Sequence, residues 1–132
     1  MQKLPFNNQQ TLLKNKNAAH SFALIVTALI ESGERDLAQS VFQSLLYQLE
    51  KPNEACDLIA EKFLLKRNTR DALPFLLKAD EIDPQNVYRK FRISASYEEA
   101  GDTKNAEYYA RQYECMKIHL HQATSRRRHV CE

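Results

Sequence analysis

Two glycines occur in the 132-residue chain, Gly33 and Gly101, and they lie 68 positions apart. Each is followed five residues on by an alanine, Ala38 and Ala106. Halfway between the glycines stands Arg67, followed by Asn68, and five residues past Arg67 comes Ala72. Positions 33, 67 and 101 and positions 38, 72 and 106 therefore share one 34-residue period. Glycine accepts the left-handed backbone conformation that ends a helix, and asparagine is the commonest other residue there. The spacing predicts a chain reversal at each mark, with the middle copy turning one residue later, at Asn68. Other positions keep the period: Ile25, Ile59 and Ile93; Leu29, Phe63 and Tyr97; Phe42, Leu76 and Ala110. Val26, Ala60 and Ser94 hold a place that wants a small residue. Phe22 matches Cys56 and then Lys90, so the third copy departs there, beside Phe91.

Within each period the apolar residues fall at helical spacing. In the first copy Phe22, Ile25, Val26 and Leu29 form one stripe, and Leu37, Ala38, Val41, Phe42 and Leu45 form another. Ser32-Gly33 divides them. The periodic alanines are small because two helices of a pair approach closely there. Asp83 is placed to cap the next helix and Pro84 to start it. Pro74 is tolerable if its helix starts near Asp71, and otherwise kinks it. Two Gly and four Pro are too few turn residues for a hairpin-built protein, so the fold class is all-α.

The pattern resembles the tetratricopeptide repeat, a 34-residue helix–turn–helix with bulky, small and aromatic residues at set places, then Ala, then a closing Pro. LPFLLKADEIDPQN is the most typical stretch. The resemblance implies an α-solenoid of three repeats, 19–52, 53–86 and 87–122, with an extended C-terminal helix. Ala106, Tyr109, Ala110, Tyr113, Met116 and Leu120 would give that helix an inner stripe and a wet back, as an array's cap needs. Residues 1–18 are an N-terminal segment, a capping helix or an arm, and 123–132 a basic, disordered tail.

Charge narrows the function classes. The chain has 19 basic and 17 acidic residues; without Arg126, Arg127, Arg128 and Glu132 the count is 16 against 16. A neutral body lacks the broad basic face of a nucleic-acid binder, and three tail arginines give only a weak, salt-sensitive attraction. No signal-peptide core opens the chain, and FALIVTALI (22–30) is about half a membrane span. Cys56, Cys115 and Cys131 are odd in number and widely spaced, which suggests a reduced, cytoplasmic setting. His119 and His121 lie on different faces of one helix, and no Cys or carboxylate completes a metal site with them. His129 and Cys131 could grip only a stray ion, and two glycines cannot build a phosphate loop. No catalytic constellation, cofactor or resident metal is expected.

The resemblance instead implies a protein or peptide partner held in a concave groove lined by the first helix of each repeat. Carried over place by place, that lining is Ala23, Thr27 and Ile30, then Asp57, Glu61 and Leu64, then Tyr88, Phe91, Arg92 and Ala95. Members that clamp a chaperone's C-terminal carboxylate use Lys, Asn and Arg at places that read Ala23, Thr27, Leu58, Tyr88 and Arg92 here. Only Arg92 fits, so that ligand is rejected. Two alternatives stay open: a small cytoplasmic chaperone of the type III secretion kind, which this chain resembles in size and architecture, and a structural subunit of a larger complex. FALIVTALI is apolar nearly all round its helix. Its outer face calls for a cover: the N-terminal segment with Leu4, Phe6, Leu12 and Leu13, a second copy in a homodimer, or a partner.

Overall fold

The structure, a computed structural model, describes residues 17–122, and these are helical with no strand. The N-terminal stretch 1–16 and the tail 123–132, with its arginines, lie outside the described residues. In chain order the helices are α1 (Ala18–Glu31), α2 (Arg35–Leu45), α3 (Pro52–Leu65), α4 (Thr69–Ile82), α5 (Val87–Glu99) and α6 (Thr103–Gln122). A 3-10 turn, Leu46–Gln48, follows α2.

Gly33, Arg67 and Gly101 have positive φ angles of 88°, 59° and 85°. Glu34 N donates to Leu29 O, Asn68 N to Phe63 O and Asp102 N to Tyr97 O, at 2.8, 2.9 and 2.9 Å. Gly33 N, Arg67 N and Gly101 N donate to Ile30 O, Leu64 O and Glu98 O, at 3.1, 2.9 and 3.0 Å. These two bonds make a Schellman helix end, here built three times in one register. The middle turn was expected at Asn68 and lies at Arg67. Asn68 is already committed as the cap of α4: its φ is −99° and its side-chain oxygen accepts from Asp71 N at 3.2 Å. The left-handed residue is fixed by the hydrogen-bond register, so Arg67 takes it despite its Cβ.

Ala38, Ala72 and Ala106 are buried where the paired helices meet. The pairs are α1–α2, α3–α4 and α5–α6. A ladder of rings joins the first two pairs: Phe22 to Phe42 at 5.9 Å, Phe42 to Phe75 at 5.2 Å, and Phe75 to Phe63 at 6.3 Å. Ile59, Ala60, Leu76 and Ile93 complete the centre of the core. The third pair keeps the architecture with different chemistry. Lys90, at the place of Phe22 and Cys56, is buried with its Nζ 2.9 and 3.0 Å from the two Asp80 oxygens and 5.7 Å from the Tyr109 ring centre. Ser94 Oγ donates to Ala106 O at 2.8 Å across the pair.

The two junctions between pairs are not alike. At the first, α1 packs on α3; at the second, the main backbone contact is α4 on α5. Ion pairs tie equivalent helix ends at the first junction. Arg35 Nη1 and Nη2 donate to Asp71 at 3.1 and 3.0 Å, and Lys66 pairs with Glu31. The second is tied by Thr69 Oγ1 donating to Glu99 at 2.7 Å and by a buried arginine described below.

Local expectations are corrected at Asp83-Pro84, Ile25 and Leu37. Asp83 ends α4 and Asn86 caps α5, accepting from Arg89 N at 2.9 Å, so Asp83-Pro84 does not open the helix. Pro74 lies inside α4, which starts at Thr69, so its ring stands in the second turn of the helix. Ile25 is exposed because α1 turns Phe22 and Val26 inward together with Ala23 and Thr27, and Leu37 on α2 is exposed as well. Cys56 is buried and free, and the reading of Cys131 lies outside the described residues.

Candidate protein-interaction surface

The Asn86 cap sets the rotation of α5. From that start Tyr88, Phe91, Arg92 and Ala95 share one helical face, while Arg89 and Ile93 turn into the protein. Tyr88 and Phe91 are 63% and 47% exposed, and their rings stack with centroids 6.3 Å apart. Phe91 meets Tyr113 of α6 at 5.3 Å. Arg92 lies 5.4 Å from the Tyr88 ring centre, and Lys117 Nζ lies 4.7 Å from that of Tyr113. The result is a three-ring strip across α5 and α6 with a cation at each end. Such cations hold position by attraction to the ring faces and keep their charge facing outward. Lys117 also approaches Glu114, at 3.7 Å and exposed, a pairing of little strength.

Beneath the strip lies Arg89, which is 2% exposed. Its Nε donates to Asp57 Oδ1 at 2.9 Å and its Nη2 to Asp57 Oδ2 at 2.7 Å, in a two-pronged pair between α5 and α3. Its Nη1 donates to the Asp83 carbonyl at 2.6 Å, and the Asp83 carboxylate lies 3.5 Å away. Burial pulls the Arg89 pKa down, but the Asp57 hydrogen bonds and the surrounding carboxylates outweigh it, so the guanidinium stays charged. The flat fork satisfies a carboxylate of α3 and the end of α4 at once, which a lysine could not do.

The ten groove residues expected from the sequence are not one surface. Tyr88, Phe91, Arg92 and Ala95 are together on α5, with Ala95 exposed and Arg92 half-buried. Asp57 is half-buried and committed to Arg89, so its carboxylate is not free for a ligand. Glu61 is exposed on the next turn of α3 and Leu64 is half-buried. Ala23 and Thr27 are buried and offer no surface. Ile30 lines a pocket between α1, α2 and α4, away from the strip. The sequence reading missed Tyr113 and Lys117 as members of the surface and Arg89 as its support. Tyr113 was legible only as an inner-stripe residue of α6, and nothing in a lone arginine near a helix start marks it as buried.

Cys56, behind Asp57 on α3, is no nucleophile: burial, with the Asp57 charge second, pushes its thiol up to about 12. Among the described residues no three His, Cys, Asp or Glu side chains converge on a metal-sized site, and no helix is long and apolar enough to cross a membrane. No protein-family model matches the chain, and no curated protein matches it closely enough to count as a relative.

Proposed function

We propose that this protein is a non-catalytic interaction module of tetratricopeptide type, a three-repeat solenoid that binds a segment of another protein. The observation that carries the reading is the exposed strip Tyr88–Phe91–Tyr113 with Arg92 and Lys117 at its ends. Exposed aromatics on rigid helices lose little freedom on binding and serve as anchors. The three Schellman turns at one period support the repeat reading. The surface suits a peptide with an apolar side chain for the rings and a carboxylate for a cation.

The test is selection from a random displayed-peptide library, followed by calorimetry on synthetic versions of the selected peptides. Tyr88→Ala with Phe91→Ala should weaken binding roughly 10- to 100-fold, with helicity and melting unchanged. Equal affinity for the double variant would remove this surface from the reading.

A second reading rests on α1, where Leu24 and Ile25 are 56% and 51% exposed. That face favours self-association, as in a chaperone that dimerises through its first helix. Light scattering should then give twice the chain mass, falling to one chain in Leu24→Glu with Ile25→Glu.

A further inference from the structure

A pocket of about 350 Å³ opens between α1, α2 and α4, on a different part of the molecule from the aromatic strip. Its origin is the first junction. There α1 packs closely on α3, whereas α2 and α4 are not a closely packed pair. Arg35 and Asp71 tie the starts of these two helices, and Phe42 and Phe75 touch below. Further along, α2 gives way to the 3-10 turn and the helices stay apart. Val26, Ile30, Phe42, Leu46 and Phe75 supply an apolar interior. Gln39, Gln43, Tyr47 and Lys78 stand among the polar lining.

Two properties of the lining select a ligand. The apolar side chains suit a hydrocarbon body, and the volume lies within the usual range for small-molecule sites. Counted at the share of volume a liquid water takes, it equals roughly a dozen waters, the size of a molecule of about ten to fifteen heavy atoms. Second, Lys78 is the sole charged side chain in the lining among the described residues, and no described carboxylate joins it. Its Nζ lies 5.6 Å from the Tyr47 ring centre. Its ion-pair partner among the described residues, Glu81, is 3.5 Å away with a side chain 71% exposed, a weak competitor for the ammonium.

We propose that this pocket binds a small amphiphilic carboxylate, its hydrocarbon body between Phe42 and Phe75 and its carboxylate paired with Lys78. The amides of Gln39 and Gln43 and the Tyr47 hydroxyl supply further donors for the same anion. The site is independent of the peptide surface, so either can fail alone.

The test is an NMR titration of the full chain with sodium octanoate, octanol and octylamine in parallel. Octanoate should move the signals of Ile30, Phe42, Phe75 and Lys78, and bind more tightly than octanol. Octylamine should not bind. Lys78→Gln should weaken octanoate about tenfold and leave octanol unchanged, because it removes the charge and keeps much of the stem. Gln43→Trp, on an exposed position, should block both. Tyr88→Ala with Phe91→Ala should change neither. Shifts that map elsewhere, equal binding of the three ligands, or an unchanged octanoate affinity in Lys78→Gln would each overturn the proposal.

Discussion

Arg67 carries a conformation that its two periodic counterparts give to glycine. A non-glycine residue in the left-handed region bears a steric cost of about 1–2 kcal/mol. Arg67→Gly relieves it and loses some chain entropy, so a net gain of about 0.5–1 kcal/mol is expected in urea denaturation. Gly33→Ala and Gly101→Ala should destabilise for the converse reason, although each glycine has open space where a Cβ would go. At Arg89 the outcome depends on pairing. Asp57→Asn leaves a guanidinium buried with half its partners, and the loss should be about 2–3 kcal/mol, since Asp57 keeps some contact with water. Arg89→Met with Asp57→Leu should recover most of that loss, because neither charge then needs a partner. Cys56 should resist iodoacetamide at neutral pH in the native protein and react once urea exposes it; rapid native alkylation would contradict its burial. The period announced where the left-handed residues stand. It did not announce which polar residues are buried, since Arg89 and Lys90 look in sequence like any solvated pair.

The helices differ in how they begin, and that difference is measurable. Asn68 and Asn86 cap α4 and α5 with their side chains, whereas α1, α2 and α3 have no such bond. Asn68→Ala should therefore cost about 1 kcal/mol. Pro74 deprives α4 of one backbone bond in its second turn, and it stands exposed at a pocket wall. Pro74→Ala restores a donor and should raise the melting temperature; a lower one would show that the ring's packing outweighs the missing bond. Asp83-Pro84 was the natural starting signal for α5, and the helix begins at Val87 because Asp83 turns its carbonyl to Arg89. Capping chemistry is local and legible, but which of two adjacent candidates acts is settled by what else each one touches. The same holds for α1, whose nearly all-round apolarity left its inner face ambiguous until packing on α2 and α3 chose it.

Across the whole molecule, stability should depend on acid in a defined way. The hydrogen bond from Arg35 is the main cause that holds the Asp71 pKa below its ordinary value, and the bond from the Asn105 side chain does the same for Asp102. A depressed carboxylate stabilises the folded state above its unfolded pKa, near 4, and loses that contribution as the pH falls through the folded value. Urea midpoints should thus hold between about pH 5 and 7 and drop below about pH 4. Arg35→Ala should make that drop shallower; an unchanged slope would mean that the α2–α4 pair does not couple to folding. The sequence by itself determined the helical class, through its scarcity of Gly and Pro, and its 34-residue period marked the turns, to within one residue at the middle one, and the small residues between paired helices, because these depend on backbone geometry that recurs with the chain. Tyr88, Phe91 and Arg92 were implied by the resemblance to the tetratricopeptide repeat, and helical spacing puts them on one face. Only the tertiary structure decided that the two junctions differ, that Asp57 is spent on Arg89, that Tyr113 and Lys117 join the aromatic strip, and that a pocket opens between α2 and α4. Those outcomes depend on the distance between helices far apart in the chain, and that distance follows from how particular side chains fit together, which no repeat of residue types encodes.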